Sequence, residues 1–305
     1  MSLIELESLM PVLTGPDAPD FRLPPLEVRE RFDTMLAGLP IKDGLAFENA
    51  VVGGVPGIWA VPAEAEADLV ILYLHGGGYV SGSAAGYRGL AGLIAEAAGG
   101  RAFVPDYRLA PEHVYPAALD DALAAYMGLL DAGHEAGSIT IAGDSAGGGL
   151  AAATVLAAKD RGLPLPGAVT LLSPWVDLDG TGTTLETKSE ADPLISAEGL
   201  TNCAQVYLGD AHAAAPGASP LYGDFTGFPP LLIEVGTREV LLSDATRLAE
   251  RAAAANVDVT LRTWRGMVHV FPNLWFALSE GPEAIAELGA FARRHTAGIT
   301  ANSFS

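Results

Sequence analysis

The stretch Ile139–Leu150 reads Ile-Thr-Ile-Ala-Gly-Asp-Ser-Ala-Gly-Gly-Gly-Leu and is the most informative part of the chain. A β-branched run passes through the G-x-S-x-G motif at 143–147 into the small residues of 151–158, which is typical of a strand, a sharp turn and a helix. The two motif glycines lack the Cβ atoms that would collide in so tight a turn, so Ser145 is presented at its apex. We predict that Ser145 is a nucleophile; the alternative is a glycine-rich loop without chemistry.

From Leu45 onward, strand-like and helix-like segments alternate. The continuous apolar run Leu69–Leu74 is typical of a strand that is covered on both faces, as in a parallel sheet. The pattern therefore predicts an α/β fold with one central, mostly parallel, eight-stranded sheet and helices on both faces. We expect strands near 46–52, 57–62, 68–74, 101–106, 138–142, 167–173, 230–235 and 258–264, and helices near 87–98, 116–132, 146–160, 244–255 and 273–295.

Two stretches depart from this alternation, and both are expected to fold over the carboxyl end of the sheet, where ligands bind in such architectures. One is the N-terminal segment, which contains a helix-like piece around Pro25–Gly38; the other is a long insertion rich in Gly, Pro, Thr and Ser. We expect an N-terminal cap segment at 1–45, a cap insertion at 178–226, and a catalytic core formed by 46–177 and 227–305.

The composition limits the class of partner. Half of the 305 residues are hydrophobic, which allows a large core, and 17 Lys and Arg against 37 Asp and Glu give a net charge of −20. So acidic a surface repels phosphate backbones and anionic lipid, so we expect no nucleic-acid partner and no membrane partner.

The single cysteine, Cys203, excludes an intrachain disulfide and a cysteine-based zinc site, and we predict no metal site. Apolar residues recur at helical spacing around Cys203, which favours a small buried hydrophobe on a helix over a reactive thiol. The stretch 1–20 lacks the pattern of a secretory signal, and no charge-free apolar run is long enough to span a membrane. The expectation is a cytoplasmic protein.

A serine hydroxyl needs a base, and the base needs an acid that orients it. We predict His269 as the base, because Arg265–Phe271 forms a loop directly after the last predicted strand, from which an imidazole could reach Ser145. The remaining histidines lie in helix ends, in the insertion, in a Pro-flanked turn and in a glycine-rich loop: His134, His295, His212, His113 and His75.

The acid should follow the predicted strand at 230–235. Glu239 lies in the turn after that strand and is our first candidate. Asp244 is the alternative, although it comes where the next helix begins and its default role is helix capping. Glu234 is discounted, because it points at a face of the sheet.

Attack on a carbonyl creates an oxyanion that needs preorganised donors. The run His75-Gly76-Gly77-Gly78 follows the apolar strand, and its glycines let backbone N–H groups approach a substrate oxygen. The N–H of Ala146, next to the nucleophile, would add a donor. A dinucleotide-binding loop is the rival interpretation, but Gly82 comes four residues after Gly78 rather than three, so the G-x-G-x-x-G spacing fails.

Together these motifs resemble the bacterial hormone-sensitive-lipase-like esterases, the family IV lipolytic enzymes. The resemblance extends over essentially the whole chain and is carried by 75–78, 105–112, 143–147, 173–177, 192–195 and 266–269. It implies an α/β-hydrolase core, a helical cap built from the N-terminus and an insertion, and hydrolysis of short- to medium-chain carboxylic esters through an acyl-enzyme, without a cofactor.

Carried over by position, the resemblance makes Ser145 the nucleophile and His269 the base, with Gly77, Gly78 and Ala146 as oxyanion donors. The family usually places an aspartate in an Asp-Pro-Leu-x-Asp pattern before the histidine, whereas this chain has Glu239-Val-Leu-Leu-Ser-Asp244 there. The choice between Glu239 and Asp244 therefore stays open.

Two other functions are compatible with the same core. One is an amidase or formamidase; the other is binding without turnover, as in the gibberellin receptor, which lacks the catalytic histidine that is present here as His269. The resemblance favours a carboxylesterase acting on a small-molecule ester. Similar esterases often dimerise, so a homodimer is an expectation of the same kind.

Overall fold

The computed structural model describes residues 2–65 and 68–296. Within these ranges the strands are β1 Leu45–Val52, β2 Val55–Pro62, β3 Val70–Leu74, β4 Arg101–Pro105, β5 Ile139–Asp144, β6 Ala168–Leu172, β7 Leu231–Gly236 and β8 Val259–Trp264. The α-helices are α1 Ser2–Leu13, α2 Pro25–Ala37, α3 Ala84–Ala98, α4 Ala117–Asp131, α5 Ser145–Asp160, α6 Thr184–Thr187, α7 Ala197–Leu208, α8 Leu242–Ala254 and α9 Glu280–Thr296.

The strands form a single sheet in the order β1-β2-β4-β3-β5-β6-β7-β8. The β1–β2 and β2–β4 pairs are antiparallel, and all the other pairs are parallel. The predicted mostly parallel, eight-stranded sheet is confirmed, and each strand limit lies within two residues of its predicted position. Apolar runs bounded by glycine and proline are the clearest pattern in the sequence, which explains this agreement.

Two hydrophobic layers cover the faces of the sheet. Val70, Leu72 and Leu74 of β3 pack in the layer that holds α4, α5 and α8. Ile71 and Tyr73 point the opposite way, into the layer of α3 and α9. This alternation explains why β3 reads as a continuous apolar run, and it confirms helices on both faces.

The helix expected at 273–295 is wrong in its first part. The chain instead makes a short 3-10 turn at Phe271–Leu274 and then a loop, and α9 begins only at Glu280. Pro282 lies in the first turn of α9, the position in a helix where proline is best tolerated. Gly281 approaches the backbone of Trp275 so closely that a Cβ would lie 2.6 Å from its Cα atom.

The N-terminal segment packs against the loop after β8. Leu6 of α1 is fully buried in a cluster that includes Met267, Val268 and Phe271. Farther along the segment, α2 packs against α3.

The insertion packs against the loop after β3. Tyr207 of α7 stacks on Tyr79, with 3.8 Å between ring centroids. Cys203 is buried on the same helix, and burial raises the pKa of its thiol to about 12, as suits a packed hydrophobe. Among the helices of the described ranges, none combines the length and the apolarity that crossing a membrane requires.

Candidate active site

The G-x-S-x-G motif forms the junction between β5 and α5. Strand β5 ends at Asp144, and α5 begins at Ser145, whose φ of 52° places it in the left-handed region. A Cβ at Gly147 would lie 2.1 Å from the carbonyl oxygen of Leu74, so only glycine allows the backbones to approach this closely. The turn holds the Ser145 hydroxyl at the carboxyl end of the sheet, at the first turn of α5.

Ser145, His269 and Glu239 form a continuous hydrogen-bonded chain. The distance from His269 Nε2 to Ser145 Oγ is 2.9 Å, and that from His269 Nδ1 to Glu239 Oε2 is 2.8 Å. Since a carboxylate can only accept, Nδ1 carries the imidazole proton and Nε2 is free to accept the serine proton. Ser145 is the first residue of α5, directly after β5, and Glu239 and His269 lie in the loops after β7 and β8.

The pKa of His269 results from opposing effects. Burial of the ring lowers the pKa, but the hydrogen bond and the negative charge of Glu239 raise it, and the charges of Asp192 and Asp144 act in the same direction. The net result is a pKa above the ordinary value of 6.5. A buried imidazole is thereby able to take up a proton.

Ser173, at the end of β6, holds the carboxylate of Glu239. Its hydroxyl donates to Glu239 Oε1 at 2.7 Å and accepts from the backbone N–H of Val270 at 3.2 Å. The N–H of Gly236 donates to the same carboxylate oxygen. No pattern in the sequence indicates this role of Ser173; the available signal was a serine at the carboxyl edge of the strand next to β5.

Asp244 has different partners. Its Oδ2 accepts the backbone N–H groups of Val176 and Asp177 at 3.0 and 3.1 Å, and its Oδ1 pairs with Arg247 at 3.0 Å. The expected capping role is wrong, because α8 begins after Leu241 with no side-chain cap. Of the two candidate acids, Glu239 is the one hydrogen-bonded to His269.

The discounted Glu234 is buried within β7, where its Oε2 accepts from Trp264 Nε1 at 3.2 Å.

The predicted oxyanion donors lie in the loop after β3 and at the start of α5. In the described part of the chain, the N–H groups of Gly77 and Gly78 have no protein acceptor. Ala146 is the second residue of α5, where N–H groups lack intrahelical partners. Gly77 adopts φ 118°, and a Cβ there would lie 2.2 Å from the carbonyl oxygen of Ser81. Of these groups, Ala146 directly follows the nucleophile in sequence and Gly77 lines the same cavity as Ser145.

Asp144, the last residue of β5, holds the glycine-rich loop after β3 next to the turn that carries Ser145. It accepts hydrogen bonds from Tyr73 Oη at 2.9 Å, from the N–H of Gly76 at 3.0 Å and from Tyr87 Oη at 3.1 Å. Burial raises the pKa of Asp144 to about 6, although these donors oppose the shift. The carboxylate connects the end of β5 to the start of the glycine run.

A cavity of about 530 Å³ opens above Ser145 and His269. Most of its wall is apolar and comes from the two stretches that depart from the strand-helix alternation. The N-terminal segment contributes Leu9, Val12, Leu13, Pro19, Phe21, Phe32, Met35 and Leu39, and the insertion contributes Leu194 and Ile195. Gly77 also lines it, so the glycine run borders the same space. The arrangement suits an apolar ligand with one reactive polar group.

A nucleophile elbow on a mostly parallel sheet, with a histidine and a carboxylate from later loops, defines a hydrolase of the α/β type. A family model described as "alpha/beta hydrolase fold" matches residues 71–273. The chain belongs to this family, and within it to the hormone-sensitive-lipase-like group that the motifs resemble.

Three similar proteins support this assignment. An acetyl-hydrolase of Streptomyces hygroscopicus is 42% identical over 245 residues, which are 80% of this chain and 82% of that protein. An esterase of Acinetobacter venetianus is 34% identical over 273 residues, which are 88% of this chain and 89% of that esterase. The crystal structure of an esterase from the bacterial hormone-sensitive lipase family is 43% identical, with a TM-score of 0.92, and covers 96% of this chain and 98% of its own.

Proposed function

We propose that this carboxylesterase hydrolyses short- to medium-chain esters through an acyl-enzyme intermediate formed on Ser145. The observation that carries the proposal is the hydrogen-bonded chain from Ser145 through His269 to Glu239, at the floor of an apolar cavity. Neither an amidase nor a binding-only role has an observation of its own in its favour.

The geometry supports a two-step mechanism. Ser145 Oγ attacks the ester carbonyl carbon while His269 Nε2 takes the hydroxyl proton, and Glu239 stabilises the imidazolium. The negative charge on the tetrahedral oxygen is met by the N–H groups of Gly77, Gly78 and Ala146. His269 then gives the proton to the departing alcohol, and water, activated by the same imidazole, releases the acid. Every proton and bond is accounted for by side chains and water, so we propose no cofactor.

The substrate proposal rests on the cavity and on the relatives. The apolar wall favours alkyl or aryl groups on both sides of the ester, and a relative at 42% identity is named an acetyl-hydrolase, which supports short acyl groups. We propose that 1–45 and 178–226 form a cap over a core of 46–177 and 227–305, since both contribute to the wall. A cytoplasmic location and a homodimer stay predictions.

The decisive experiment is Ser145→Ala, assayed with p-nitrophenyl esters from acetate to decanoate. The variant should lose the burst of p-nitrophenol, and kcat should fall by roughly 10⁵–10⁶ with an unchanged circular dichroism spectrum. Ser138→Ala, on the residue just before β5, is the matched control and should keep the wild-type rate. Turnover retained by Ser145→Ala would refute the nucleophile. In the wild type, a rate that falls steeply along the ester series is the result expected of an esterase.

A further inference from the structure

The motif Asp192–Ile195 of the insertion has no place in the mechanism above, yet its first residue is unusually well bonded. Asp192 is only 7% exposed in a stretch that is otherwise largely accessible. Its Oδ1 accepts the backbone N–H groups of Leu194 and Ile195 at 3.0 and 3.1 Å. An aspartate followed by proline is well suited to such a turn. The carboxylate thus fixes the backbone of the two residues that follow Pro193.

The other carboxylate oxygen reaches the loop after β7. Asp192 Oδ2 accepts the N–H of Val240 at 2.9 Å, and Val240 is the residue directly after Glu239. On the other side of Glu239, Arg238 Nε donates to the carbonyl oxygen of Ala191 at 3.0 Å. The insertion is therefore hydrogen-bonded to both sequence neighbours of the residue that holds His269.

The two residues whose backbone Asp192 fixes form part of the cavity wall. Leu194 and Ile195 line the cavity above Ser145, and they also line a second cavity of about 420 Å³. The remaining residues common to both cavities come from the N-terminal segment: Leu13, Pro19 and Phe21. These five side chains separate an apolar chamber from a more polar one, so their positions limit how far a substrate chain can extend.

We propose that Asp192 is a positioning residue that holds the Leu194–Ile195 wall and the Glu239 turn in one fixed arrangement. It acts through the backbones of Leu194, Ile195 and Val240 and through its negative charge near His269, and not by contact with Ser145. A buried carboxylate that accepts three N–H groups makes charge-assisted bonds, so loss of its charge weakens all three together. This inference rests on the proposed esterase function, because it concerns the same cavity and the same base.

The test is Asp192→Asn, which preserves the shape but replaces one acceptor oxygen by an NH₂ group that faces backbone donors. We expect the KM for p-nitrophenyl hexanoate to change by about tenfold relative to that for the acetate, the size of effect a pocket wall has. The acid limb of kcat/KM should move to lower pH, because one of the three carboxylates that raise the pKa of His269 (Glu239, Asp192 and Asp144) is lost.

Asp244→Asn is the matched control. Asp244 is also a buried carboxylate with two backbone N–H partners, but these are Val176 and Asp177, and it makes no hydrogen bond to the backbone of Leu194, Ile195 or Val240. We expect the control to lower Tm while chain-length preference and the acid limb stay as in the wild type. An Asp192→Asn variant that loses Tm only, with both readouts unchanged, would overturn the proposal.

Two further measurements keep the test decisive. If Asp192→Asn does not fold, Arg238→Ala cuts the second bond between insertion and turn, and a wild-type chain-length profile in that variant overturns the inference. Labelling with a fluorophosphonate probe distinguishes failure of the esterase function from failure of the Asp192 role. Wild-type protein that is not labelled on Ser145 would refute the proposed function, whereas normal labelling of both proteins with identical profiles would refute only the role of Asp192.

Discussion

The imidazole of His269 works as a base only while it is neutral, so the same carboxylate that orients it also sets the pH range of activity. Glu239 raises the pKa of His269 above 6.5 against the opposing effect of burial. Activity should therefore be lost as the pH falls through a value above 6.5, because the protonated ring cannot accept the Ser145 proton. The strong hydrogen bond from His269 to Glu239 therefore narrows the pH range of activity on its acidic side.

Glu239→Gln tests this relation. The amide removes the charge, so burial dominates, the pKa of His269 falls, and the acid limb of kcat/KM should move to lower pH. At the same time kcat should drop by about 10²–10⁴, because the amide favours the wrong tautomer and no longer stabilises the imidazolium. The measurement is a pH–rate profile of both proteins. Asp244→Asn serves as comparison, and a larger kcat loss in that variant would make Asp244 the acid.

The sequence indicated the reacting side chains better than the residues that hold them in place by hydrogen bonds. Ser145 and His269 could be proposed because each stands in a motif directly after a predicted strand. In contrast, the partners of Asp244 include the backbone N–H groups of Val176 and Asp177, and one partner of Glu239 is the hydroxyl of Ser173. These hydrogen bonds join residues far apart in the sequence, so no local sequence pattern predicts them.

Strand β7, which pairs with the edge strand β8, carries a buried carboxyl group in the middle of its length. Glu234 is fully buried, and burial, with a smaller contribution from Glu287, raises its pKa to about 9 from an ordinary 4.5. The folded protein therefore keeps this proton to a much higher pH than the unfolded chain does. The favourable contribution is complete below pH 4.5 and is lost as the pH rises towards 9.

Glu234→Gln should remove this pH dependence, because an amide has the shape and polarity of the protonated acid but does not ionise. At pH 5 the variant and the wild type should have similar free energies of unfolding. At pH 9 the variant should be more stable by roughly 4 kcal/mol, because each pH unit between the two pKa values changes the free energy of unfolding by about 1.4 kcal/mol. Urea denaturation at the two pH values can measure this difference. If the difference in free energy of unfolding between the variant and the wild type is the same at pH 5 and at pH 9, burial does not raise the pKa of Glu234.

Helix limits were harder to predict than strand limits. The periodic apolar residues after Pro272 suggested one helix to 295, but the chain turns at 275–279 so that Leu278 joins the cluster around Trp264. A tertiary contact here overrides local periodicity, whereas for the strands the buried run and its boundaries agree.

The substrate cavity depends on two parts of the chain that are far apart in sequence. Helix α1 supplies Leu9 and Val12 to the wall, and it is held by Leu6, which packs beside the loop of His269. The insertion supplies Leu194 and Ile195, and Leu194 packs in the same cluster as Leu9 and Leu13 of α1. Interruptions in the strand-helix alternation marked both segments in advance, but the residues that face the cavity could only be read from the structure.

Leu6→Ala should loosen α1 without unfolding the core. Loss of the buried side chain should cost roughly 2–4 kcal/mol in the local stability of the helix, which hydrogen exchange of α1 can measure. We expect KM to rise several-fold with little change in kcat, since the wall is displaced but the reacting groups are not. Ile4→Ala, on the same helix but 77% exposed, is the control and should change neither quantity. Faster exchange of α1 with an unchanged KM would show that α1 does not shape the substrate cavity.

The left-handed backbone at Ser145 restricts which nucleophile this enzyme could use. A β-branched residue at φ 52° would bring its second Cβ substituent against the neighbouring backbone, so threonine is disfavoured there even though its hydroxyl is chemically suitable. Cysteine has no such branch and fits the same geometry. Mutational paths from this hydrolase therefore lead more readily to a thiol enzyme than to a threonine enzyme, a restriction imposed by the main chain and not by the substrate.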